Sequence, residues 1–176
     1  VSRFTPEQEI LLNRFVLGLV ASLAVYFLAY DHVIVAAFIC YLAANAALFY
    51  MQRVDVWVAE RRWVAAIVLD VSVNFTMTMQ APATMALFYP MYLWMILGNG
   101  FRFGIRYLAI SSVLSAFAFG TNVYLTDFWA DKQPLGYSLA LALLIIPAYC
   151  STLIKKLSKA KEQAEASELV ALLRRY

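Results

Sequence analysis

Residues 63–80 read WVAAIVLDVSVNFTMTMQ, and the resolution of this stretch decides the fold. Its polar members Asp70, Ser72, Asn74, Thr76, Thr78 and Gln80 alternate with apolar ones, which in water is the pattern of a half-buried strand. The rest of the chain removes water from consideration. Of 176 residues, 64% are hydrophobic and only 14% charged, and the mean hydropathy is +0.72, against roughly 45–50% apolar and about 25% charged in soluble domains. So much apolar surface has to face lipid, where a lone strand leaves its backbone groups unpaired and only a helix satisfies them. Turned into a helix at about 100° per residue, Asp70, Asn74 and Thr78 form one stripe and Ser72, Thr76 and Gln80 a second, nearly opposite. A helix polar on two sides belongs in the interior of a bundle.

Working outward, the apolar runs are 15–30, 33–51, 63–79, 84–98, 107–126 and 137–154. A single helix over 63–98 would be about 54 Å long against a hydrocarbon core of roughly 30 Å, so a hairpin is expected. Gln80-Ala81-Pro82-Ala83 is its turn, because proline ends helices; Asp31-His32 breaks the first pair in the same way. The expectation is an all-α polytopic membrane bundle of six transmembrane helices, or five with one re-entrant piece, occupying residues 1–154. With the amino terminus inside, thirteen of the fourteen Lys and Arg residues are cytoplasmic and only Lys132 is outside. That distribution follows the positive-inside rule and places both termini in the cytoplasm. Trp57, Trp63, Trp94, Tyr107, Phe128 and Trp129 fall near predicted boundaries, where amphipathic rings prefer to lie. The basic residues flank apolar runs instead of forming a stripe, which argues against nucleic acid.

Asp70 lies midway along its segment, where an ionised carboxylate costs about 2.5–3.5 kcal/mol on insertion scales. It is the leading functional candidate; a purely structural hydrogen-bonding role, fastening helices together, has equal standing. Asn45 and Asn122 read as helix-packing residues. Pro90 and Pro147 are expected to kink their helices, Gly98 and Gly100 to end the fourth, and Arg102 and Arg106 to anchor the loop after it. Ser112, Ala116 and Gly120 form a small-xxx-small pattern for close helix approach. Cys40 and Cys150 read as small buried hydrophobes, and His32 as a solvated turn residue. No metal or cofactor site is expected, and no nucleophile with its base suggests catalysis in this chain.

After Ile154 the chain becomes KKLSKAKEQAEASELVALLRRY, residues 155–176, rich in helix formers. The last membrane helix is expected to run on as a cytoplasmic signalling helix, with Leu157, Ala160, Ala164, Ser167 and Ala171 as a seam for a parallel homodimer.

Three stretches together resemble a known family: RRWVAAIVLD at 61–70, LWMILGNGFRFGIRYL at 93–108 and KAKEQAEAS at 159–167. They are similar to the membrane input region of sensor histidine kinases for diffusible signal factor, the RpfC type, over about three-fifths of the chain. The resemblance implies quorum sensing of a cis-2-unsaturated fatty acid by the membrane bundle, which controls autophosphorylation of a dimeric cytoplasmic kinase, and so a response regulator, through domains beyond this chain. The ligand-binding residues expected on that reading are Phe88, Tyr89, Tyr92 and Trp94 around the acyl tail, and Asp70, Asn74, Asn99 or Arg102 at the polar head. A fatty acid carboxylate would pair with Arg102, with Asp70 protonated or otherwise partnered. The rival reading is a small transporter or channel with Asp70 in the translocation path; a structural assembly subunit is a third.

Overall fold

The computed structural model describes residues 32–54, 58–83 and 89–173, together with Val16 and Leu19. Its long elements are α1 (His32–Val54), α2 (Ala59–Gln80), α3 (Tyr89–Phe103), α4 (Ile105–Leu125) and α5 (Gln133–Leu173), with a short 3-10 helix, Asp127–Lys132, leading into α5. The alternation in 63–80 is helical, as the lipid argument requires. Its inner stripe carries Asp70, Asn74 and Thr78, whereas Ser72 is exposed and Thr76 half-buried. These outward hydroxyls need no bundle partner: Ser72 donates to the Val68 carbonyl at 2.7 Å and Thr76 to that of Ser72 at 2.9 Å. Polar side chains on two faces therefore did not require burial on both, because the helix's own carbonyls satisfied one set.

Consecutive helices run antiparallel. Tyr41 meets Asp70 across α1 and α2, Thr78 meets Tyr92 across α2 and α3, and Gly100 abuts Leu108 across α3 and α4. Gly136 abuts Val123 across α4 and α5. The α2 and α4 helices are consequently parallel, with Trp63 on Tyr107 at one end and Met79 near Thr126 at the other. α4 is the hub, packing on α2, α3 and α5, while α1 lies on α2. The largest core cluster joins Tyr92 and Ile96 of α3, Phe119 and Val123 of α4, Trp129 and Leu143.

The count of six spans is not supported. Among the described residues, four helices are long and apolar enough to cross a membrane: α1, α2, α4 and α5. The first predicted segment, 15–30, lies outside the described residues apart from Val16 and Leu19. α3 has 15 residues, about 22 Å, which is short of the hydrocarbon core.

The end of α3 also differs from expectation. Gly98 and Gly100 do not terminate it; the helix runs through both to Phe103, and the break falls at Gly104, whose φ of 95° is open to glycine and costly for other residues. Gly100 serves close packing instead, since a Cβ there would lie 2.9 Å from the Leu108 Cβ. Pro90 is the second described residue of α3, and the residues that would precede it in a helix, 84–88, lie outside the described ones. Pro147 is inside α5 and fully buried. Trp129, in the short helix that joins α4 to α5, is buried at 4% exposure and packed edge-on against Phe119 and Phe128. Cys40 is exposed, not buried, and Cys150 half-buried. The expected turn after Gln80 is present, with Ala81 N–H bonded to the Met77 carbonyl at 2.9 Å. The small-xxx-small pattern of α4 acts inside the bundle, where a Cβ on Gly120 would touch that of Ala140 at 4.0 Å.

α5 continues without interruption for 41 residues, about 62 Å, roughly twice what the hydrocarbon core needs. Its bundle-facing stripe runs Gly136, Leu143, Pro147 and Ile154, and beyond Ile154 the described side chains are exposed.

Candidate functional site

The inner stripe of α2 is the spine of the site. At its centre the Asp70 carboxylate accepts a hydrogen bond from the Tyr41 hydroxyl at 2.9 Å, an inter-helix contact that buries both groups. Asp70 is 6% exposed although it is ionisable and midway along a span, so its environment was bound to supply partners. One turn on, Asn74 Nδ2 donates to the Asp70 carbonyl at 2.9 Å and lies 3.9 Å from Met95 Sδ. A further turn on, Thr78 Oγ1 donates to the Asn74 carbonyl at 2.8 Å and lies 3.3 Å from the Tyr92 hydroxyl. With the threonine proton directed to that carbonyl, Tyr92 is the donor of the longer contact.

The pairs 78–92 and 74–95 fix the α2–α3 register, and one more step places Asn99, itself 3% exposed, at the level of Asp70. The parallel register of α2 and α4 puts Ser111 and Ser115 at this level too; both are completely buried. Mid-depth in the bundle, four helices thus contribute Tyr41, Asp70, Asn99 and two serines to one polar layer. Ser115 Oγ, Ser112 Oγ and Asn122 Nδ2 are buried atoms with no hydrogen-bond partner among the described residues, so α4 carries donor capacity that the described helices leave unused.

Of the residues expected at the site, the structure brings Asp70, Asn74, Tyr92 and Asn99 together. Tyr89 is half-buried beside them and donates to the Leu139 carbonyl of α5 at 2.8 Å, tying α3 to the long helix α5. Trp94 is 65% exposed, on the outer face of α3, away from the layer. Arg102 is exposed in the last turn of α3. Phe88 lies outside the described residues. Asn45 and Asn122 bond within their own helices, Asn45 to the Tyr41 carbonyl at 3.0 Å and Asn122 to the Thr126 hydroxyl at 2.9 Å. The sequence reading missed Tyr41, Ser111 and Ser115. The serines stand four apart on one face of α4, a spacing that could have flagged them; Tyr41 in an apolar run gave no signal.

Below the layer, Trp63 stacks on Phe103 with ring centroids 4.6 Å apart and meets Tyr107 edge-on at 5.3 Å. This aromatic cluster closes the end of the bundle that carries Arg61, Arg62, Arg102 and Arg106, where Arg106 pairs with Glu60 at 3.8 Å between exposed side chains. Lys155 and Lys156 leave at the same end, while Lys132 stands at the other. Among the described residues no group of His, Cys, Asp and Glu is placed to hold a metal ion.

No family model matches the chain, and no solved structure matches it. Two curated proteins do: the sensory/regulatory protein RpfC of Xanthomonas campestris pathovar campestris strain ATCC 33913 and that of strain 8004. Each is 26% identical over 76 residues, covering 43% of this chain. The matched stretch is 10% of the length of either relative. The similarity and the apolar helices together support a membrane region related to the sensor part of a regulatory kinase.

Proposed function

We propose that this chain is the membrane input region of a bacterial sensor histidine kinase, detecting a lipophilic signal of the cis-2-unsaturated fatty acid type and relaying it along α5. The observation that carries this reading is the buried polar layer around Asp70, built on helices that pack against a 41-residue helix running far past the bundle. The likeness to RpfC supports it independently. The signal enters from the membrane and meets Trp94 first, on the lipid-facing side of α3; its tail packs near Tyr89 and Tyr92, with Phe88 preceding them in sequence. Its head meets Asp70, Asn74 and Asn99, or Arg102 one turn nearer the basic end. A ligand shifts the bundle only by the difference in its contact energy between two arrangements. The Tyr89 bond to Leu139 gives that shift a route from α3 to α5. The basic end is cytoplasmic, and the protein works as a homodimer in the inner membrane with kinase domains following α5.

The test is to fuse the chain ahead of a histidine kinase core lacking its own input, reconstitute it in nanodiscs and titrate cis-2-unsaturated fatty acid against autophosphorylation. A saturable change, weakened in Asp70→Asn and Arg102→Ala, is expected. A competent kinase indifferent to the fatty acid at every concentration sinks the reading; proton or solute flux through the same protein in vesicles would move it to the transporter class.

A further inference from the structure

Lys155, Lys156 and Lys159 occupy one side of α5. At about 100° per residue they span little more than a quarter of the circumference, and all three are exposed. Traced back toward the membrane, the same side carries Leu141, Leu144 and Ile145, likewise exposed. The bundle-facing stripe ending at buried Ile154 is on another side, and Leu153 and Leu157 lie on a third. One face of this helix is therefore apolar up to about residue 148 and cationic over 155–159, with Thr152 between and exposed Glu162 two turns beyond Lys155. The change occurs at the level where Arg106 stands opposite Ile154 in the α4–α5 register.

We propose that this face seats the headgroups of anionic phospholipids, whose phosphates pair with Lys155, Lys156 and Lys159 while their acyl chains lie along Leu141 and Ile145. A partner for this surface has to be apolar, then anionic, with the boundary at the depth of the basic end of the bundle. A phospholipid monolayer has that profile, whereas a nucleic acid or an acidic peptide matches only the lysines. Lysine suits the task because its long stem lies along apolar surface while the ammonium reaches the phosphate plane. Because the three lysines sit on one side, lipid binding also fixes the azimuth at which α5 leaves the bundle, and so the side of the rod presented to whatever follows. This inference is independent of the nature of the signal.

The experiment is native mass spectrometry of the full chain released from nanodiscs of equal parts phosphatidylcholine and phosphatidylglycerol. Wild type is expected to retain phosphatidylglycerol preferentially, at about fivefold per lysine engaged, with the preference shrinking as salt rises. The K155Q/K156Q/K159Q variant loses the preference while its helicity by circular dichroism is unchanged, and K155R/K156R/K159R keeps it. Equal retention of the two lipids by wild type, or an undiminished preference in the glutamine variant, overturns the proposal.

Discussion

Gly98 and Gly100 are two residues apart in α3, yet their surroundings are opposite. A Cβ on Gly98 meets nothing within 4 Å, whereas one on Gly100 would press into the Leu108 side chain. Gly98→Ala is therefore expected to stabilise the protein by up to about 1 kcal/mol through helix propensity, and Gly100→Ala to destabilise it by about 1–3 kcal/mol by forcing α3 from α4. Unfolding in mixed micelles distinguishes them; equal effects would mean that Gly100 does not set the helix separation. The Tyr41–Asp70 hydrogen bond belongs to the same scale. Inter-helix hydrogen bonds in membranes average about 0.6 kcal/mol and reach about 1.7, so a double-mutant cycle of Tyr41→Phe and Asp70→Leu, each of which removes the bond, should give a coupling in that range. Additive losses would show that the two side chains only share a location. Asp70 stood out in the sequence because a carboxylate inside an apolar run is conspicuous; Tyr41 did not, because tyrosine is at home in such runs and only the packing of α1 on α2 brings its hydroxyl to the carboxylate.

At the scale of elements, α5 joins two environments in one rod. Gly136 lets it approach α4, since a Cβ there would fall 2.6 Å from a Val123 methyl carbon, and Leu143, Pro147 and Ile154 continue the buried stripe. Past Ile154 nothing in the described chain holds it, so its orientation is inherited from the bundle. Inserting one residue between Ser158 and Lys159 turns everything beyond by about 100° and is expected to uncouple a fused kinase from its input; seven inserted residues, close to two full turns, restore the phase. The readout is signal-dependent autophosphorylation across an insertion series from one to seven. An output that ignores the number of residues inserted would rule out a rigid helix as the transmitter. The continuity of this helix was legible beforehand, because Lys, Glu, Ala and Gln follow Ile154 with no glycine or proline. The place where α3 ends was not, because glycine serves both as terminator and as a contact surface, and the identity of the neighbour decides between them.

For the whole molecule, the antiparallel sequence of helices collects Arg61, Arg62, Arg102, Arg106, Lys155 and Lys156 at one end and leaves Lys132 at the other. On the positive-inside rule the proposed orientation has the arginine-rich end in the cytoplasm. In a background with Cys40 and Cys150 replaced by serine, a cysteine at Asp131 is expected to react with a membrane-impermeant maleimide on intact cells, and one at Lys159 only after lysis. Labelling of both from outside would remove the assigned topology. Every described basic residue but one lies at a common end, so the clustering that the sequence suggested holds in three dimensions, and the labelling experiment tests the orientation inferred from it.

The class of this protein was set by composition, since so large an apolar fraction has no stable arrangement in water, and lipid admits few secondary structures. The hairpin after Gln80 and the long output helix follow from proline and from helix propensity, both local. What only the tertiary structure decided is which polar groups share a level. Asp70, Asn99, Ser111, Ser115 and Tyr41 are scattered over 75 positions from 41 to 115, and they share a level because three helix pairs are held in register by a tyrosine, a threonine and a glycine. Register is a property of pairs of helices, and it depends on how closely two backbones approach, which no single segment of sequence contains.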